Sequence, residues 1–208
     1  MTGLPHLWTR VPRVTVVAPE DDRRLPLARA AVRFWNGALE RLGTPLRLGS
    51  PSHLAAAVPA EELERISDAM LQGAANISYP AITERIETDV LVILSQATFK
   101  SFATAPGPGG RVVIGIPRCD RGPLRRPRIV VSLIAHELGH AIGLGHNEDP
   151  TRLMCRDPVL TWEVRRDLAR PHAATPPVPG RLRVFRLLPA EKELLRRRYP
   201  PGWGTGVA

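Results

Sequence analysis

HELGHAIGLGH, residues 136–146, sets two histidines four apart, stops at a glycine and then supplies a third histidine. On an α-helix His136 and His140 lie about 40° apart on one face, one turn above the other. Two imidazoles so placed can each give a nitrogen to one ion at about 2.0–2.1 Å. Glu137 is displaced around the helix from the first ligand, where it can reach a metal-activated water without itself binding the metal. That is the place of a general base. In a helix that continued, His146 would lie about 9 Å beyond His140 and about 240° around the axis. The helix therefore has to stop early, and Gly143 is the residue type that takes the left-handed conformation of such a stop. Gly145 adds freedom just before His146. Gly139, inside the helix, reads as a position where alanine would be the better helix former by about 1 kcal/mol. The full H-E-x-x-H-x-x-G-x-x-H fixes five positions to one geometry, which a bare HExxH does not. Three neutral nitrogens leave a fourth tetrahedral position open, as in a catalytic zinc site and unlike a closed structural one.

Outward from this segment the chain alternates strand and helix patterns. "VTVVAP" (14–19) reads as a first strand and about Leu25 to Leu42 as a helix with Gly43 as its stop. "PLRLG" (45–49) reads as a second strand and 58–74 as a helix with Leu63, Ile66, Met70 and Leu71 on one side. "TDVLVILS" (88–95) and "RVVIGIP" (111–117) read as buried strands separated by the loop "APGPGG" (105–110). The histidine helix is expected over about Ile129 to Ile142, after the basic connector 121–128 that Pro127 helps to end. The stretch 170–180 is too rich in proline for a regular element, and "PAEKELLRRRY" (189–199) reads as a short last helix. This order suggests an α/β sheet with the active segment after its last strand.

Composition narrows the function classes. The 208 residues are 43% hydrophobic and 24% charged, enough to bury a core and suited to one domain. No apolar run is long enough to span a bilayer, and the first residues lack the pattern of a signal peptide. A cytoplasmic location is expected if the chain is complete, and a secreted one if a leader has been trimmed. The formal charge of +9 comes from arginine, since only Lys100 and Lys192 are lysines among 29 basic residues. Such a charge suits nucleic acid or another anionic partner. Aromatics at 5%, the lack of a nucleic-acid motif and the abundance of Ala, Pro and Gly beside Arg point instead to coding bias, so nucleic acid is not the expected partner. Cys119 and Cys155 make no CxxC pair, leaving a disulfide and two free thiols as equal alternatives. His6, His53 and His172 fall in loop-like sequence, and Arg165–Arg166 and Arg196–Arg198 read as solvated faces.

The histidine motif resembles that of the metzincin metallopeptidases, most closely the matrixins, and the resemblance is specific over 129–155. It implies one catalytic zinc ion held by His136, His140 and His146, with Glu137 as catalytic base. It also implies a methionine turn beneath the metal, supplied by Met154 in "TRLMC", eight residues past His146. The expected fold is α/β: a twisted, mainly parallel sheet with an antiparallel edge strand, an active-site helix, and a small C-terminal subdomain ending in a helix. Residues 1–208 would form a single metallopeptidase domain, with an upper subdomain over about 12–146 and a lower one over 147–208. The implied activity is that of a zinc-dependent endopeptidase acting on a peptide or protein through a zinc-activated water and Glu137. Its substrate would lie extended along an edge strand, taken as 111–117, and residues 155–164 would wall the pocket.

Several features depart from the family pattern. Arg156 stands where astacin-like and serralysin-like enzymes place a tyrosine ligand, and no structural zinc or calcium loop is evident in 96–110. "PRCD" (117–120) resembles the start of the matrixin cysteine switch but lies between a strand and the active helix; it reads as coincidence or as a partner for Cys155. Two other readings remain. A thermolysin-like site would use Glu163 as third ligand. A catalytically silent or weakly active zinc-fold binding protein with an Arg-rich surface would be expected to lack the glutamate that stands at position 137.

Overall fold

Val14–Ala18, Val90–Leu94 and Val112–Ile116 are short apolar runs rich in β-branched residues, and they form strands β1, β3 and β5. With β2 (Ser52–Ala55) and β4 (Phe102–Ala103) they build one sheet in the order β2-β1-β3-β5-β4. All pairings are parallel except that of β4 with β5, where Phe102 opposes Gly115 and Ala103 opposes Ile114. The expected α/β sheet, mainly parallel with an antiparallel edge, is present. The computed structural model describes residues 8–74, 77–106, 110–156 and 186–204. Glu163, His6, His172, Arg165 and Arg166, the stretch 170–180 and most of the expected pocket wall 155–164 lie outside them.

The central strands are continuous apolar runs because both faces of the sheet are covered. Val16, Val90, Val92, Ile114 and Ile116 join the core formed with α1 (Leu25–Arg41) and α3 (Pro127–Ala141). The alternate residues Val17, Leu91, Ile93 and Val113 join Leu63 and Ile66 of α2 (Ala60–Leu71) on the opposite side. The period of two along each strand thus sorts the chain into three layers. A last helix, α4 (Pro189–Arg198), follows the segment 186–188. Among the described residues no helix is long and apolar enough to cross a membrane.

Three expectations change here. Residues 45–49 are not a strand. Leu46 and Leu48 are buried as their alternation suggests, but the Asn36 side chain donates to the Leu48 carbonyl at 2.9 Å and accepts from its N–H at 2.8 Å. That amide stands in for a neighbouring strand, and the strand itself begins at Ser52. His53 consequently lies on β2 and not in a loop, with Nε2 3.0 Å from the Ala18 carbonyl. Nor is 111–117 an edge: β5 lies between β3 and β4, so the edge is Phe102–Ala103. Gly115 allows this closure, because a Cβ there would run into the Phe102 ring.

Candidate metal centre

α3 begins at Pro127, whose ring suits the first helical position and holds Arg126 extended before it. Two indoles pin the helix to the rest of the molecule: Trp35 Nε1 donates to the Ala135 carbonyl at 2.7 Å, and Trp8 Nε1 to that of Ala141 at 2.8 Å. The helix stops in a Schellman turn. Gly143 takes a φ of 94°, its N–H reaches the His140 carbonyl at 2.9 Å, and the Leu144 N–H reaches the Gly139 carbonyl at 2.9 Å. Leu144 is buried, and its own carbonyl lies 2.8 Å from His140 Nδ1. One turn therefore ends the helix, orients the second histidine and sends the chain back to His146.

Beyond His146 the chain doubles back on itself. Asn147 N–H donates to the Met154 carbonyl at 2.8 Å, and Arg156 N–H to the Asn147 carbonyl at 3.0 Å. This places Leu153 so that its carbonyl lies 2.8 Å from His136 Nδ1. It also places the fully buried Met154 under α3 at Gly139. Gly139 is thus not the free helix position its sequence context suggests. A Cβ there would collide with Met154 Sδ and lie 3.1 Å from Trp35 Cζ2.

The three histidines converge. Nε2 of His140 lies 3.2 Å from that of His136 and 3.1 Å from that of His146. A carbonyl only accepts, so His136 and His140 must each carry their proton on Nδ1, leaving both Nε2 atoms as bare lone pairs. Two bare nitrogens at 3.2 Å repel unless a cation stands between them. Nitrogens of a tetrahedral zinc site, at about 2.0–2.1 Å from the ion, lie about 3.3 Å apart. The imidazoles are also neutral, as ligands must be. Burial pushes the pKa of His136 down to about 3 and that of His140 to about 4, and lowers that of His146. His136, His140 and His146 form a group able to hold one metal ion. The donor set suits zinc.

Glu137 is buried beside them and lines the same cleft, which has a volume of about 580 Å³. Burial raises its pKa to about 7, against the opposing pull of a hydrogen bond from Ser101 and the positive charge of Lys100. The other walls come from 100–106, which contains the edge strand β4, and from Ser67, Met70 and Leu71 of α2.

Cys119 stands apart from this cleft. Its thiol donates to the Pro117 carbonyl at 3.1 Å and sits by the buried Asp22–Arg24 ion pair, so "PRCD" does not present a thiol to the histidines. Cys155 is also a free thiol, beside Asn147. Arg198 is not a solvated residue; it donates to the Gly143 carbonyl at 2.8 Å. The Leu144 and Leu153 carbonyls, which fix two tautomers, carry no sequence signal, because every residue has a carbonyl. Lys100 did carry one, as one of two lysines in an arginine-rich chain.

No family profile and no curated protein matches the chain. Among solved structures it is similar to archaemetzincin from Methanopyrus kandleri, with 21% identity over 91% of this chain and 96% of that one and a TM-score of 0.46. It is also similar to a zinc-dependent peptidase from Methanocorpusculum labreanum (strain Z), with 15% identity over 71% and 91% of the two chains and a TM-score of 0.37.

Proposed function

We propose that this chain is a zinc-dependent metalloendopeptidase of the metzincin type, with a matrixin-like interval between His146 and Met154. The observation that carries the reading is the convergence of three Nε2 atoms on the floor of a cleft that Glu137 also lines. His136, His140 and His146 would hold the ion, Met154 would floor the site, and residues 1–208 would act as one domain. When bound, zinc supplies Lewis acidity, polarising a substrate carbonyl and acidifying water.

Glu137 does the proton work. Its carboxylate takes a proton from the attacking water and passes it to the departing amine. Burial destabilises the charged form, so the group accepts that proton readily, while the Lys100 charge favours the ionised form. Ser101 lines the cleft with it, and its hydroxyl favours the carboxylate form. Substrate would lie extended along β4, whose inner side pairs with β5 and whose residues line the cleft.

The test compares zinc content and peptide cleavage across variants. Wild type is expected to hold about one zinc per chain, and His146→Ala to lose it to a chelator that wild type resists. Glu137→Gln is expected to keep zinc but to lose about 10²–10⁴ in kcat. Undiminished cleavage by Glu137→Gln would remove Glu137 as the base. Metal retained by His146→Ala but lost by Glu163→Ala would mean a thermolysin-like ligand set.

A further inference from the structure

The cleft carries charge that peptide hydrolysis as such does not need. Among the described residues its lining includes one acidic side chain, the buried Glu137, and two cationic ones, Lys100 and Arg156. Arg156 is engaged by Glu148, at 3.0 Å and 3.1 Å. Lys100 is exposed and has no carboxylate within ion-pairing distance among the described residues. It stands two residues before β4, at the end of the strand along which a substrate would run. It lines one cleft with Glu137, His136 and His146, residues from both sides of the glycine turn. The part of the lining that α2 supplies, Ser67, Met70 and Leu71, is uncharged and adjoins Lys100, whose carbonyl accepts from the Ser67 hydroxyl at 3.0 Å. Three neutral ligands carry no charge to offset a bound dication, which would add to this positive field.

We propose that Lys100 makes the cleft selective for peptides with a carboxylate beside the bond to be cleaved. That carboxylate is an aspartate or glutamate side chain or a free C-terminus. The proposal rests on the peptidase reading. An ammonium on a flexible four-carbon stem can follow a carboxylate over several ångströms, and the charge-assisted hydrogen bond it makes is about twice as strong as a neutral one. A cationic side chain in the substrate would meet Lys100 and the metal together, so the site excludes it by repulsion as well as preferring its opposite.

The test uses the zinc-loaded full chain and a peptide series with Glu, Gln or Lys at each position flanking the cleaved bond. Each peptide is made with a free and an amidated C-terminus. Glu peptides are expected to exceed Gln peptides in kcat/KM by about five- to tenfold, with Lys peptides lowest. Lys100→Gln should level the series and Lys100→Glu should invert it. Leu71→Ala, on the uncharged wall, should change all peptides alike. The free-acid and amide arms show which carboxylate is read. Binding of the same labelled peptides to Glu137→Gln supplies a readout without chemistry. The same order should appear there and fade with added salt. Equal cleavage of all peptides, or an acidic preference that survives Lys100→Gln, overturns the assignment of Lys100. An acidic order of binding with no cleavage of any peptide by wild type instead overturns the peptidase reading and leaves Lys100 as an anion-selecting residue.

Discussion

Gly139→Ala separates local helix preference from packing, because the two give opposite signs. By helix propensity alone, alanine stabilises this position by about 1 kcal/mol. In the structure the added methyl meets Met154 Sδ, lies 2.9 Å from Met154 Cε and lies 3.1 Å from Trp35 Cζ2. Met154 is flexible but fully buried, and Trp35 is fully buried and tied to the Ala135 carbonyl, so neither can swing into solvent. Forcing a methyl into such a space costs about 1–3 kcal/mol. The net expectation is a loss of about 1 kcal/mol, or about 2–4 °C in Tm for a chain of this size. The measurement is thermal unfolding in the presence of chelator, so that zinc linkage does not enter. A double-mutant cycle with Met154→Ala then identifies the clash. Met154→Ala alone should cost about 2–5 kcal/mol by leaving a cavity. Combined with Gly139→Ala, the new methyl moves into that cavity, and the pair should cost less than the sum by about 0.5–3 kcal/mol. A Tm above wild type for Gly139→Ala, or strict additivity in the cycle, would refute the packing of Met154 against α3 at residue 139.

Gly143→Val places a β-branched residue at a φ of 94°, a strain of about 1–3 kcal/mol. The chain can relieve it by prolonging α3, which rotates His146 away; zinc affinity, read by competition with a chelator, should fall while the far-ultraviolet spectrum stays near native. Asp22→Asn should cost about 3 kcal/mol at neutral pH, because it leaves Arg24 buried without its counter-charge. Burial raises the Asp22 pKa, but the hydrogen bonds and charge of Arg24 outweigh this and hold it below 3.8. A depressed folded-state pKa gives stability that is complete above the unfolded value and lost as pH falls through the folded one. Denaturation midpoints of wild type and Asp22→Asn should therefore differ by a constant amount above about pH 5 and converge only below 3.8.

What the sequence made legible was local. The histidine spacing and the stop at Gly143 are consequences of helix geometry, so they could be read without knowing where the rest of the chain goes, whereas Met154 was singled out only by the family resemblance. The three long strands were legible because burial on both faces leaves an unbroken apolar run. What failed depends on contacts distant in sequence. β4 is two residues long, and its Phe102 ring lies over Gly115, where a Cβ would collide with it. The strand expected at 45–49 was a correct reading of burial but a wrong reading of backbone partners, since an asparagine twelve residues earlier supplies them. Gly139 looked permissive because the methionine that occupies its missing Cβ lies fifteen positions away in the chain.

The closing helix shows how such distant contacts finish a site whose three histidines were legible. His146 lies in a short connection between Gly143 and Asn147, and α4 grips both ends of it. Glu191, in the first turn of α4, accepts from the Asn147 side chain at 2.6 Å. Arg198, in the last turn, donates to the Gly143 carbonyl at 2.8 Å, and the Tyr199 hydroxyl donates to the Ile142 carbonyl at 3.1 Å. Residues seven apart lie on one face of a helix, about 10.5 Å along its axis, so Glu191 and Arg198 form a caliper of fixed span. A flexible tail offering the same groups could satisfy either end of the connection without constraining the other. A helix satisfies both at one separation, and burial of Leu195 and Tyr199 in the core offsets the entropy of ordering it. The third histidine is therefore positioned before any metal arrives, which is the condition for three neutral nitrogens to act as one site.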